Sequence, residues 1–180
     1  AIVAEAELYP AWPERAQAMR AWLEGQARPL AAALPKLEAT LVELRARAMN
    51  ASAAASPAGQ VDSPRLAGKA EQFLHDTLAR LVDDLRGFCA AGSGQLTAVE
   101  RRLEWAESVR VETVDKYARE WTAAIADLTQ LPVYRGLRIE PQLDLVPLRR
   151  DPASGLWEFV HLRSATPGKA IPQRNPETRQ

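Results

Sequence analysis

Apolar residues recur every three or four positions between Ala16 and Ala48, at Ala16, Met19, Leu23, Ala27, Leu30, Leu34, Leu37, Leu41, Leu44 and Ala48. That spacing places them on one narrow side of a helix, as the seam of a coiled coil or helical bundle requires. One extra four-residue step falls near Gly25. Pro29 and Pro35 interrupt an otherwise strong helix former, and each removes a backbone donor, so a kink or break is expected between Gly25 and Pro35. Upstream, Tyr9-Pro10-Ala11-Trp12-Pro13 reads as a turn, with Pro13 suited to the first turn of the long helix.

Residues 50–64 hold Ser, Ala, Pro and Gly without any period and read as a flexible connection. A second helical stripe follows at Ala67, Ala70, Leu74, Leu78, Leu81, Leu85 and Phe88, stopped by Gly92 and Gly94. A third runs through Leu96, Val99, Leu103, Ala106, Val109, Thr113, Tyr117, Trp121, Ala124 and Leu128. The short connection makes these two helices antiparallel, with Leu81 and Leu85 expected opposite Leu103 and Val99.

The period changes at Leu131-Pro132. Leu143–Leu148 and Leu156–Leu162 flank Asp151-Pro152-Ala153-Ser154-Gly155, whose proline and glycine suit a tight reversal, so a β-hairpin is expected. Pro147 makes its first arm an edge or bulged strand. Trp157 and Phe159 alternate onto one face. A two-stranded ribbon cannot bury them alone, which makes these two residues the candidate docking site for a neighbouring domain. The tail from Ser164 is polar and proline-rich.

The formal net charge is zero, from 23 Lys+Arg and 23 Asp+Glu. Attraction to nucleic acid or an anionic membrane surface is therefore not expected. No apolar run approaches the ~18 residues of a membrane span. A single cysteine excludes an internal disulfide or a paired-cysteine metal site. Cys89 lies about 21 Å along a helix from the nearest candidate base on it, His75, and reads as a structural thiol. His75 reads as an interfacial residue and His161 as a packing or solvent-facing one. The carboxylates of Asp83-Asp84, Glu100, Glu104 and Glu107 are interspersed with arginines and read as a solvated helix face. Gly92-Ser93-Gly94 lacks the lysine of a phosphate loop. No catalytic residue, cofactor or metal ligand is expected.

The runs His75-Asp76-Thr77-Leu78 and Leu81-Val82-Asp83-Asp84-Leu85, then Gly136–Leu143, resemble a helical segment of large bacterial multidomain proteins. Leu145-Val146-Pro147-Leu148 followed by Asp151-Pro152-Ala153-Ser154-Gly155-Leu156-Trp157-Glu158-Phe159 is the most specific part of the likeness. In that family the stretch precedes a formylglycine-generating-enzyme-like (sulfatase-modifying factor) domain, often with a serine/threonine protein kinase domain further upstream. The resemblance implies that the catalytic modules lie outside these residues. No kinase Gly-rich loop, His-Arg-Asp or Asp-Phe-Gly triplet is present, so no catalytic residue carries over.

The expected fold is mainly α, with long antiparallel helices forming a coiled-coil or bundle arm that ends in a C-terminal β-hairpin. Residues 1–50 form the first long helical segment, kinked near Gly25–Pro35, and residues 51–64 the flexible connection. Residues 65–130 form an antiparallel helical hairpin, residues 131–163 the β-hairpin docking element and residues 164–180 a linker tail. The expected role is a non-catalytic, cytoplasmic connector that spaces or oligomerises flanking domains, its partners being those domains or a second copy of the chain. An N-terminal extension of a formylglycine-generating-like oxidase and a stand-alone helical interaction module are the alternatives. A chain opening on Ala1 is expected of a piece of a longer protein.

Overall fold

The computed structural model describes Glu5, residues 7–55 and residues 68–162. The fold is mainly α with a C-terminal antiparallel hairpin of two strands. Helix α1 (Pro13–Trp22) passes through a π-turn (Leu23–Ala27) into α2 (Arg28–Ala55). Helix α3 (Lys69–Cys89) and α4 (Gln95–Arg110) follow. A second π-turn (Val111–Asp115) and α5 (Ala118–Gln130) lead to a 3-10 turn (Pro132–Tyr134) and strands β1 (Leu145–Arg150) and β2 (Trp157–His161). The chain divides into two compact units: residues up to Ala11 with Arg15–Leu103, and Trp12–Glu14 with the residues from Glu104 onward. The boundary falls within α4.

Where a kink or break is expected between Gly25 and Pro35, the structure has a π-turn at Leu23–Ala27 and then an unbroken helix through both prolines. Two successive four-residue steps, Met19 to Leu23 to Ala27, would carry the seam around a strict α-helix. A π-turn takes more residues per turn, and it occupies Leu23–Ala27 itself. Met19, Leu23 and Ala27 all stay fully buried as a result. Pro35 then lies inside an unbroken α2, which continues to Ala55 through a run of alanines, the strongest helix formers. The connection expected at residues 51–64 thus begins as helix, and its remainder lies outside the described residues, as does the tail from Ser164.

In the first unit, α2 and α3 pair antiparallel. Glu38 accepts from Arg86 Nε at 2.8 Å, while Arg45 Nε donates to His75 Nε2 at 3.2 Å, so rising numbers on one helix meet falling numbers on the other. Leu41 and Ala48 are buried on α2 and Val82 and Leu85 on α3, with Leu41 and Val82 at the same level of the pair. This corrects the expected seam between the second and third helices. Leu81 is 43% exposed, and Val82, one position on, is the fully buried residue. The cause is that α2, rather than the helix that follows, sets which side of α3 turns inward. Trp22 closes the end of the pair, its ring 6.0 Å from that of Phe88.

Glu5 and residues 7–11 lie as a strap on the same unit, with Leu8 and Ala11 buried. Arg102 holds the strap: its Nη2 donates to Glu5 and its guanidinium lies 4.2 Å over the Tyr9 ring. Only 9% of the Arg102 side chain is exposed, so the cation is matched by a carboxylate and an aromatic face in place of water.

In the second unit the π-turn recurs where the stripe Val109, Thr113, Tyr117, Trp121 advances by three fours in a row. Val109, Thr113 and Trp121 remain buried. The hairpin pairs Val146 with Val160 and Pro147 with Phe159, and slips by one residue at Leu148. That bulge sits beside the residue that cannot donate to the ladder, as expected for Pro147. The Asp151 carboxylate accepts from the Ala153 and Ser154 amides and the Ser154 hydroxyl, and Gly155 leaves the turn at φ 72°.

The reversal between α3 and α4 depends on Gly94. A Cβ there would lie 2.6 Å from the Ala90 nitrogen and 2.7 Å from its carbonyl oxygen. Gly94→Ala should cost about 1–3 kcal/mol through that overlap. Gly87→Ala, in α3 with open space around it, should gain about 0.5–1 kcal/mol. Urea unfolding of the two variants checks the contrast; equal effects would place the reversal elsewhere.

Candidate functional site

Trp157 and Phe159, the expected docking pair, are both half-buried and both have partners within the second unit. Trp157 Nε1 donates to Asp127 Oδ2 on α5 at 3.0 Å, and its backbone N–H donates to the Tyr134 hydroxyl at 2.5 Å. The Phe159 ring lies 5.7 Å from that of Trp121, tilted by 44°. Arg150 Nε approaches the same Asp127 oxygen at 3.7 Å, and Arg149 pairs with Glu158 at 3.3 Å across the bulge. The hairpin is thus tied to α5 by polar contacts at one end and aromatic packing in the middle.

Beneath it lies a buried polar junction that sequence reasoning missed. Thr113, fully buried in the π-turn, donates its hydroxyl to the Val109 carbonyl at 2.5 Å. The same oxygen accepts the Asp144 N–H at 3.3 Å. Trp121 Nε1 donates to the Thr113 carbonyl at 2.8 Å. Asp144 has φ 70°, a left-handed conformation that Asp tolerates better than most residues. Its carbonyl accepts the Leu162 N–H at 3.0 Å, and its carboxylate lies 3.1 Å from His161 Nε2. One signal was available: Thr113 is the polar member of an apolar stripe, and a buried hydroxyl implies a partner. That the partner is Asp144 depends on the path of residues 131–144, which no local pattern fixes.

The other residues weighed for chemistry are dispersed. His75 accepts from Arg45, and its Nδ1 lies 3.0 Å from Asp76 on the surface of α3. Gln72 and His75, hydrogen-bonded to the Asp76 carboxyl, hold it below the usual carboxylate range. Glu38 beside Arg86 raises that guanidinium further. Cys89 is a free, half-buried thiol at the end of α3. Asp83, Asp84, Glu100, Glu104 and Glu107 are exposed. Trp22 and Trp121 are buried, whereas Trp12 is 48% exposed. Among the described residues no group of three His, Cys, Asp or Glu is placed to hold a metal ion. No helix among them is long and apolar enough to cross a membrane.

The Thr113 hydroxyl joins a helix turn to the start of the hairpin, so its removal should loosen both. Thr113→Val keeps the shape but takes the acceptor from a buried N–H, at a cost of about 1–3 kcal/mol. Thr113→Ser, which keeps the hydroxyl, should be milder. Denaturant titration of the two variants separates the contributions; equal losses would make the junction a matter of packing alone.

No family model matches the chain, and neither a curated protein nor a solved structure matches it.

Proposed function

We propose that this chain is a non-catalytic helical connector that spaces flanking domains of a larger bacterial protein. In this reading it is cytoplasmic and stands in the linker ahead of a formylglycine-generating-enzyme-like domain, with a kinase domain upstream. The observation that carries the reading is how the hairpin ends. The ladder residue His161 and Leu162 after it are both bonded to Asp144, which the Thr113 hydroxyl ties to the helices. A domain that follows the tail at residues 164–180 and docks back on the hairpin would take its orientation from α5, to which the hairpin is tied. Spacing requires that anchoring, whereas a flexible tether would not.

A second reading, a helical module that binds other proteins, draws on a different observation. Phe73, Leu74 and Leu81 are 74%, 52% and 43% exposed along one side of α3. Large apolar side chains clustered in this way mark association surfaces.

The connector reading predicts that a following domain moves with the hairpin. In a chain extended past Gln180 into its neighbour, nuclear relaxation should show the two tumbling together. Trp157→Ala should let the neighbour tumble faster while circular dichroism of the helices stays constant. A neighbour that tumbles freely before any substitution would sink the reading.

A further inference from the structure

Helix α3 carries two apolar rows side by side. Leu78, Val82, Leu85 and Cys89 form the row turned toward α2. One position earlier stand Thr77, Leu81, Asp84 and Phe88, and with Ala70 and Leu74 before them they form a second row, mostly apolar and interrupted at Asp84, with Phe73 at its margin. Among the described residues of the first unit, this second row is covered at its end, where Trp22 packs on Phe88. Phe73, Leu74, Thr77 and Leu81 stand open. A helix with one buried stripe needs one partner. This one has a second stripe and needs another.

The charges beside the open row indicate which partner. Lys69, Asp76 and Arg80 along its outer border and Asp84 within it are all exposed, and their signs read plus, minus, plus, minus. Reversing the helix end for end reverses that order. With the centre between Thr77 and Leu78, Leu74 meets Leu81 of the second helix, Arg80 lies one position from the level of Asp76, and Asp84 lies two positions from the level of Lys69, within reach of its long side chain. Each charge lies near its opposite and each leucine meets a leucine. Side chains at matching heights on antiparallel helices pair in this way. The Asp76 carboxylate is already held ionised by Gln72 and His75, so it is a fixed anion for an incoming guanidinium.

Building on the connector reading above, we propose that α3 is the interface between two copies of this chain, packed antiparallel across a two-fold axis near Thr77. The geometry is isologous: the same row on both partners, each residue meeting its mirror position. It would give a connector two identical copies related by a single two-fold axis.

Sedimentation equilibrium of the full chain should show a dimer. Leu81→Glu should convert it to a monomer with unchanged helix content, since the side chain is already exposed in one copy. Arg80→Asp or Asp76→Arg alone should weaken association about tenfold, and the two together in one chain should restore it. With Cys89→Ser as background, Thr77→Cys should form a disulfide-linked dimer on mild oxidation. A chain that is monomeric at millimolar concentration overturns the proposal. So does a dimer indifferent to Leu81→Glu, or one in which the double charge exchange fails to rescue the single ones. These outcomes do not touch the connector reading, whose test reads the tumbling of an attached domain; a monomer with a co-tumbling neighbour would retain the one and discard the other.

Discussion

A helix whose apolar residues advance by fours must either let its seam rotate away from the core or change its own geometry. This chain changes its geometry, twice. At Leu23–Ala27 and again at Val111–Asp115 the backbone adopts a π-turn, and the seam residues on both sides remain buried. Each π-turn displaces an amide–carbonyl bond from its usual partner, a cost that is offset by keeping large side chains such as Met19, Leu23 and Trp121 out of water. The buried faces of both units depend on that exchange. In the second unit the turn also opens the backbone where the Trp121 indole reaches the Thr113 carbonyl, so the irregularity becomes the point to which the hairpin is attached.

The seams of α1, α2, α4 and α5 were legible because three-and-four spacing is a local property. Ala16, Met19, Leu23, Ala27, Leu41 and Ala48 are buried where the period places them, and so are Val99, Ala106, Val109, Trp121, Ala124 and Leu128, whereas Leu30 of the same stripe is exposed and Leu34, Leu37 and Leu44 are half-buried. Helix α3 was not legible to the same degree. Its two adjacent rows, Leu74–Leu81 and Leu78–Val82–Leu85, both carry large apolar residues, and three-and-four spacing alone does not say which one α2 will cover. The choice belongs to tertiary packing, and it went to the row containing Val82.

The hairpin shows the same division. Its turn could be read from Asp151, Pro152 and Gly155, and its irregular first strand from Pro147, because those residues restrict their own backbone. The need of Trp157 for a partner was legible as well. That the partner would be Asp127, with Tyr134 beside it, was not, since both lie upstream across a loop of irregular backbone. The polar anchors of the candidate site are therefore the part least visible in sequence. They are single residues whose roles exist only once the chain has folded back.

A ribbon of two strands has two open edges, and each is a template on which another extended chain can add. The residues that irregularise β1 spoil that template. Pro147 offers no N–H, and the bulge at Leu148 breaks the even spacing of donors and acceptors that an added strand would have to match. Arg149 and Arg150 then place two cations at the end of the strand. The same irregularity that weakens the hairpin as a sheet thus protects it from stacking into larger ones. The free edge of β1 is thereby closed to strand addition by the same residues that irregularise it.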